Sequence, residues 1–225
     1  QVEAWADNLW ASAAVAESAR QYLTKTRALD EQVLKGATVG LAHAERHSAD
    51  HWLIFPAIHE HRGECVCVAL KFFGFDPQHQ GWAQSKGRKV ARNVDSGLIL
   101  YCPGTKPFAQ TPVIVCEGEV DALSALSAGY NAASPTTGAN SFKPLWAQQI
   151  RSRPAARMQG VVVCYDGDTP GEEGTEKAAE ILRAEGLPVR VARPPEGMDV
   201  NDVWRSGEHS LDSLIDTATR YERWI

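Results

Sequence analysis

Two hydrophobic rhythms divide the chain. Over residues 3–25 the apolar positions Leu9, Trp10, Ala13, Ala16, Ala19, Tyr22 and Leu23 recur at helical spacing, with no Gly or Pro among them. This predicts one amphipathic helix. Asp30 is placed to cap a second, short helix that Gly36 ends. Residues 37–42 are small and apolar. Residues 52–75 then hold two apolar segments around the polar turn His61-Arg62-Gly63, the pattern of a β-hairpin. Pro56 puts the first of these strands at an edge or gives it a break. Residues 76–93 are polar and read as irregular.

From residue 111 the rhythm changes to short, fully apolar runs alternating with helical stretches. Strands are expected at 113–116, 131–134, 161–165 and 188–192, and helices at 120–128, 142–151 and 171–185. A last helix over 208–224 would pack back onto the body. Such alternation predicts an α/β fold with a mostly parallel sheet covered by helices, preceded by a smaller α+β part. The expected division is an N-terminal α+β subdomain at 1–110, an α/β catalytic domain at 111–206 and a C-terminal helix at 207–225. Ligands of such a sheet gather beyond the carboxyl ends of its strands.

Composition narrows the class. With 225 residues and 44% hydrophobic content the chain has ample core and is no disordered tail. No apolar run approaches the roughly 20 residues of a membrane-spanning helix, so no membrane partner is expected. The net charge of -5 argues against a surface coated with nucleic acid. One compact basic cluster stands apart from that balance: Lys86, Arg88, Lys89 and Arg92. The cysteines number five, form no CxxC pair and have no zinc-finger spacing, which suits a reduced, cytoplasmic protein. The first residue is Gln1 and no signal peptide is visible, so an excised piece of a longer protein is expected.

The chemistry sits where the two most hydrophobic strands end. VIVC runs into Glu117, with Glu119 and Asp121 close behind, and VVVCY runs into Asp166 and Asp168. Residues two apart on an extended segment project together, so Asp166 and Asp168 share a side. Gly118 and Gly167 between the acids let the backbone turn tightly. PPEGMDVNDVW, after the last strand, adds Asp199, Asn201 and Asp202. Acids from three strand ends at one edge of a sheet suit a hard divalent cation such as Mg2+, which takes oxygen ligands and keeps waters. The plain alternative is that each acid caps a helix. Capping accounts poorly for Glu117, Asp166 and Asp168 together, because only one of the aspartate pair can occupy the cap.

These elements, VIVCEGEVDALSA followed by VVVCYDGDTPGEEG, resemble the Toprim domain: a strand ending in Glu-Gly, an Asp four residues after that Glu, and a later strand ending in Asp-x-Asp. The resemblance covers residues 111–206. It implies a Rossmann-like Toprim fold and metal ligation by Glu117, Asp166 and Asp168, with Asp121 in support. The stretch ARQYLTKTRALDEQVLKGATVGLA, the hairpin with Ile54-Phe55-Pro56, and LILYCP further resemble bacterial and phage replicative primases. MDVND resembles the third acidic motif of that family, which implies further metal or nucleotide contacts at Asp199 and Asn201.

A primase resemblance implies RNA primer synthesis during DNA replication, with two or more Mg2+ or Mn2+ ions, a single-stranded DNA template, ribonucleoside triphosphates and a replicative helicase, fused or separate. Lys86, Arg88, Lys89 and Arg92 would then hold the template or the triphosphate. Three departures stand out. Ala28 replaces the family's usual Gly, Asn201 stands where many members have Asp, and SKGRKVARN replaces the family's basic segment. Two other readings stay open: a Toprim nuclease or topoisomerase-like strand-cleaving enzyme, and a non-catalytic nucleic-acid-binding module. His43, His47 and His51, at helical spacing, lack an acidic or Cys partner for a metal. Trp82 is read as packing, with base stacking as the alternative.

Overall fold

The computed structural model describes residues 1–43, 51–61, 64–76, 81–84, 91–92, 100–103, 110–135, 138–207 and 210–222. They fall into two compact units, Gln1–Ile99 and Leu100–Ile225.

In the first unit the expected 3–25 helix is broken into α1 (Val2–Trp10), α2 (Ala14–Gln21) and a π-turn over Tyr22–Thr26. Ala11 and Ala13 are extended, and Arg20 Nη1 donates to the carbonyls of Leu9 at 2.7 Å and Ala11 at 2.8 Å. Periodicity alone did not reveal this break, because a long-range side chain satisfies the end of α1 that a glycine or proline would otherwise mark. The π-turn closes with Arg27 N–H on Tyr22 O at 2.9 Å. Ala28 follows at φ 54°, in the left-handed region. α3 (Glu31–Gly36) begins as expected, with Asp30 Oδ1 accepting from the N–H groups of Gln32 and Val33.

The strands β1 (Gly40–His43), β2 (His51–His61), β3 (Glu64–Asp76) and β4 (Gly81–Gln84) form an antiparallel sheet in that order, and β5 (Ala91–Arg92) also pairs with β3. Pro56 lies beyond the Gly40–His43 register of β1, which reaches only Ile54 on β2, so its missing N–H breaks no pair of that ladder. His43 faces His51 across β1 and β2, so these two are strand residues and not part of a helical metal motif. His47 lies outside the described residues. Trp82 is buried, with Nε1 donating to Ser18 Oγ at 3.4 Å, which favours packing over base stacking.

The second unit is a six-stranded sheet in the order β11-β10-β9-β7-β8-β6. Its inner strands β8 (Asn131–Pro135), β7 (Val113–Cys116), β9 (Val161–Cys164) and β10 (Val189–Val191) are parallel. The outer strands, β6 (Leu100–Tyr101) and β11 (Thr219–Arg220), are antiparallel to their neighbours. The strand at Leu100–Tyr101 therefore belongs to this sheet, and the second compact unit begins at Leu100. The expected helix over 208–224 is instead α9 (Leu211–Asp216) followed by β11, because pairing with β10 takes up the tail.

Alternation sorts the strand residues between two faces. Val113, Val115, Val161, Val163 and Tyr165 pack with α5 (Pro144–Arg151), α6 (Pro154–Gln159) and α7 (Thr169–Ala184) around Trp146, which is fully buried and meets Phe142 edge-on at 5.8 Å. Ile114, Cys116, Val162 and Cys164 point the other way, the side of α4 (Glu119–Ser127) and α8 (Val200–Ser206). Among the described residues no helix is long and apolar enough to cross a membrane.

Candidate active site

The chain leaves β7 through α4 to reach β8 on one side, then crosses back through α5 and α6 to β9 on the other. The point where the strand order reverses thus lies between β7 and β9, with Cys116 opposite Cys164. Loops that diverge to opposite faces leave a crevice there, where ligands of open α/β sheets bind. Glu117 and Asp166 emerge at that point.

Asp166 is the electrostatic centre. Its Oδ1 is buried and has no hydrogen-bond partner. Burial pushes its carboxyl up to about 8, and the charges of Asp121, Glu117, Asp199 and Asp168 push the same way. Carboxylates from β7, α4, the β9 loop and α8 therefore share one field.

Asp121 is buried in the first turn of α4, where Oδ1 accepts from the backbone N–H of Asn201 at 3.1 Å. Gly118 makes room for it: a Cβ there would lie 2.8 Å from Asp121 Oδ2. Asp168 is the N-cap of α7, with Oδ1 accepting from Gly171 N–H at 2.7 Å, yet the residue is exposed. One oxygen caps while the residue stays accessible, so capping and ion holding are compatible. Asp199 caps α8 in a reciprocal box with Asp202, its Oδ1 accepting from Asp202 N–H at 2.6 Å. Gly167 N–H donates to Met198 O at 2.9 Å, which ties the Asp166-Gly167-Asp168 loop to the turn before Asp199. A Cβ at Gly167 would run into the Pro195 carbonyl, so this close approach needs glycine.

Asp166, Asp168 and Glu172 also line a cleft of about 320 Å3 with Tyr165 and Arg193. Arg193 pairs with Glu176 at 3.3 Å.

The donor set fits a hard divalent cation. Asp166 presents a buried oxygen with nothing to satisfy it, beside acids whose mutual repulsion a cation would relieve. Among the described residues no three His, Cys, Asp or Glu side chains enclose an ion unaided.

Glu117, Asp121, Asp166, Asp168 and Asp199 thus gather at one end of the sheet. Asn201, expected as a nucleotide contact, is fully buried, with Nδ2 donating to Ser124 Oγ at 2.8 Å. Ser124 was missed by the sequence reading, although its place three residues after Asp121, on the same helical face, was a usable signal. Lys86, Arg88 and Lys89 lie outside the described residues, and Arg92 sits on β5.

Residues 114–204 match the family described as Toprim-like. A DNA primase of Geobacillus stearothermophilus is 34% identical over 160 residues, covering 68% of this chain and 24% of that protein. A DNA primase of Halalkalibacterium halodurans is 34% identical over 93 residues, 41% of this chain and 15% of that protein. The chain therefore spans a quarter or less of the length of these relatives. Among solved structures, the zinc-binding and RNA polymerase domains of Aquifex aeolicus primase match with a TM-score of 0.66 at 19% identity, covering 98% of this chain and 61% of that one. The RNA polymerase domain of Mycobacterium tuberculosis primase, in complex with double-stranded DNA, matches with a TM-score of 0.67 at 19% identity, covering 97% and 78%. The mainly parallel sheet of the second unit, with helices on both faces, is the Toprim fold.

Proposed function

We propose that this chain, Toprim-like over residues 114–204, is the catalytic core of a DNA primase, synthesising short RNA primers on single-stranded DNA. The observation that carries the reading is the unsatisfied Asp166 oxygen, set among four other acids where the strand order reverses. The kinship of the DNA primases named above supports it over a nuclease or a non-catalytic module.

In this reading Glu117, Asp166 and Asp168 hold the ions, and Asp121 and Asp199 complete the negative field. Bound Mg2+, or Mn2+ in its place, supplies activation of the attacking hydroxyl and charge neutralisation on the triphosphate. Asp166 gives up its proton for this role, since a carboxylate must be ionised to hold a metal. Asp168 fixes the start of α7 through Oδ1, and its exposed carboxylate would be among the groups that hold the ion. The 3′-hydroxyl of one ribonucleotide then displaces pyrophosphate from the next. Lys86, Arg88, Lys89 and Arg92 would bind template backbone or triphosphate. A replicative helicase, fused or separate, is the expected partner.

The test supplies the protein with single-stranded DNA, four ribonucleotides and Mg2+ or Mn2+. Short, template-dependent RNA products support the proposal. Metal-dependent cutting of the template without RNA products would move the assignment to a nuclease.

A further inference from the structure

We propose that Ser124 and Asn201 are positioning residues: a neutral, buried pair that fixes the Asp121 carboxylate beside the ion site. This rests on the divalent-ion reading given above.

Both side chains are fully buried. Their hydrogen bonds run in one direction. Asn201 Nδ2 donates to Ser124 Oγ at 2.8 Å, and Ser124 Oγ donates in turn to Val120 O at 2.9 Å. The backbone N–H of the same Asn201 donates to Asp121 Oδ1 at 3.1 Å. Asp121 is therefore held by a peptide group whose own place is set by the amide side chain next to it. On its other side, Asp121 Oδ2 takes the space that Gly118 leaves open, where a Cβ would come within 2.8 Å of it. The carboxylate is thus held by the Asn201 N–H, on the side away from the open space at Gly118.

The pair also joins two elements far apart in sequence. Ser124 and Asn201 are 77 positions apart, and they fasten α4 to the first turn of α8, whose N-cap is Asp199. Asp121 and Asp199, both felt by Asp166, are thus set relative to each other through this contact. Water cannot take over these bonds in a site without exposure, so removing one partner leaves the other unsatisfied.

The direction of the bonds specifies asparagine. Ser124 spends its proton on Val120 O, so it can only accept from position 201. An aspartate there, when ionised, has nothing to donate. It would also bury a second negative charge against Asp121. Asn201, where many members of the resembled family carry Asp, is in this chain matched to Ser124.

The experiment measures Mn2+ binding to the whole chain, from the paramagnetic resonance of unbound Mn2+, at temperatures where circular dichroism shows each variant folded. The variants are Ser124→Ala, Ser124→Thr, Asn201→Asp, Asp166→Asn and, as a destabilised control, Leu211→Ala. Outer hydrogen-bond partners of metal ligands typically contribute about 10- to 100-fold in affinity. Ser124→Ala and Asn201→Asp are expected to weaken Mn2+ binding by about tenfold or more. Ser124→Thr, which keeps the hydroxyl, should bind Mn2+ like the parent, and Leu211→Ala should lose stability but not Mn2+. Parent-like affinity in both Ser124→Ala and Asn201→Asp would overturn the proposal, leaving the pair as helix packing alone. A parent with no Mn2+ site removed by Asp166→Asn would overturn the ion reading and this proposal with it.

Discussion

Cys116 and Cys164 stand opposite each other in the parallel register of β7 and β9, so the next residues out, Glu117 and the Tyr165-Asp166 step, leave the sheet side by side. This pairing converts two separate sequence motifs into one acidic site. Every residue of Val113–Cys116 and Val161–Cys164 is buried, so apolar packing on both faces backs the backbone ladder that joins the two strands.

The first consequence concerns pH. The Asp166 carboxyl sits at about 8 in the fold, above the roughly 3.9 of an unfolded aspartate. A raised acid contributes stability that is complete below about 3.9 and is lost as pH rises through about 8. Metal-free parent should therefore lose stability between pH 6 and pH 9, and Asp166→Asn should lose less over the same interval. Denaturant midpoints in EDTA check this. Identical pH slopes in the two proteins would contradict it.

Metal affinity should follow the same group. An ion must displace the Asp166 proton, so apparent Mn2+ affinity should fall about tenfold per unit as pH drops below about 8. Titrations at pH 6, 7 and 8 read this directly, and a flat profile would count against Asp166 as a ligand.

Gly118 gives a test of geometry separate from charge. Its φ of -121° suits any residue, so alanine brings no backbone strain. Its Cβ would, however, meet Asp121 Oδ2 at 2.8 Å. Gly118→Ala should fold with stability near the parent and bind Mn2+ about tenfold more weakly. Unchanged binding would show that Asp121 has room to move.

Ala28 makes a prediction in the other unit. It follows the π-turn at φ 54°, a conformation that costs an L-residue roughly 1 kcal/mol or more. Ala28→Gly should stabilise that unit by about 0.5–1 kcal/mol even after the extra backbone entropy glycine brings to the unfolded chain. A lower denaturant midpoint for Ala28→Gly would refute this account of the turn.

These predictions also mark what the sequence made legible. The alternation after residue 111 reported the parallel sheet because buried parallel strands are continuous apolar runs, and Glu117, Asp121, Asp166, Asp168 and Asp199 could be read off their ends. The break after Trp10 was hidden, since Arg20 satisfies it from a distance. The tail strand Thr219–Arg220 was hidden too, because a two-residue edge pairing leaves no period to detect. Asn201 looked like a ligand by motif, and its burial against Ser124 could not be read from the sequence, because the two are brought together only by the fold.

Primer synthesis by the parent beside the Asp166→Asn, Asp168→Asn double variant tests the central claim most directly, with single-stranded DNA, four ribonucleotides and Mg2+ or Mn2+. The account predicts short RNA from the parent and at least a hundredfold less from the double variant, with both folded by circular dichroism. Equal synthesis by the two proteins would contradict the claim that these acids carry the chemistry.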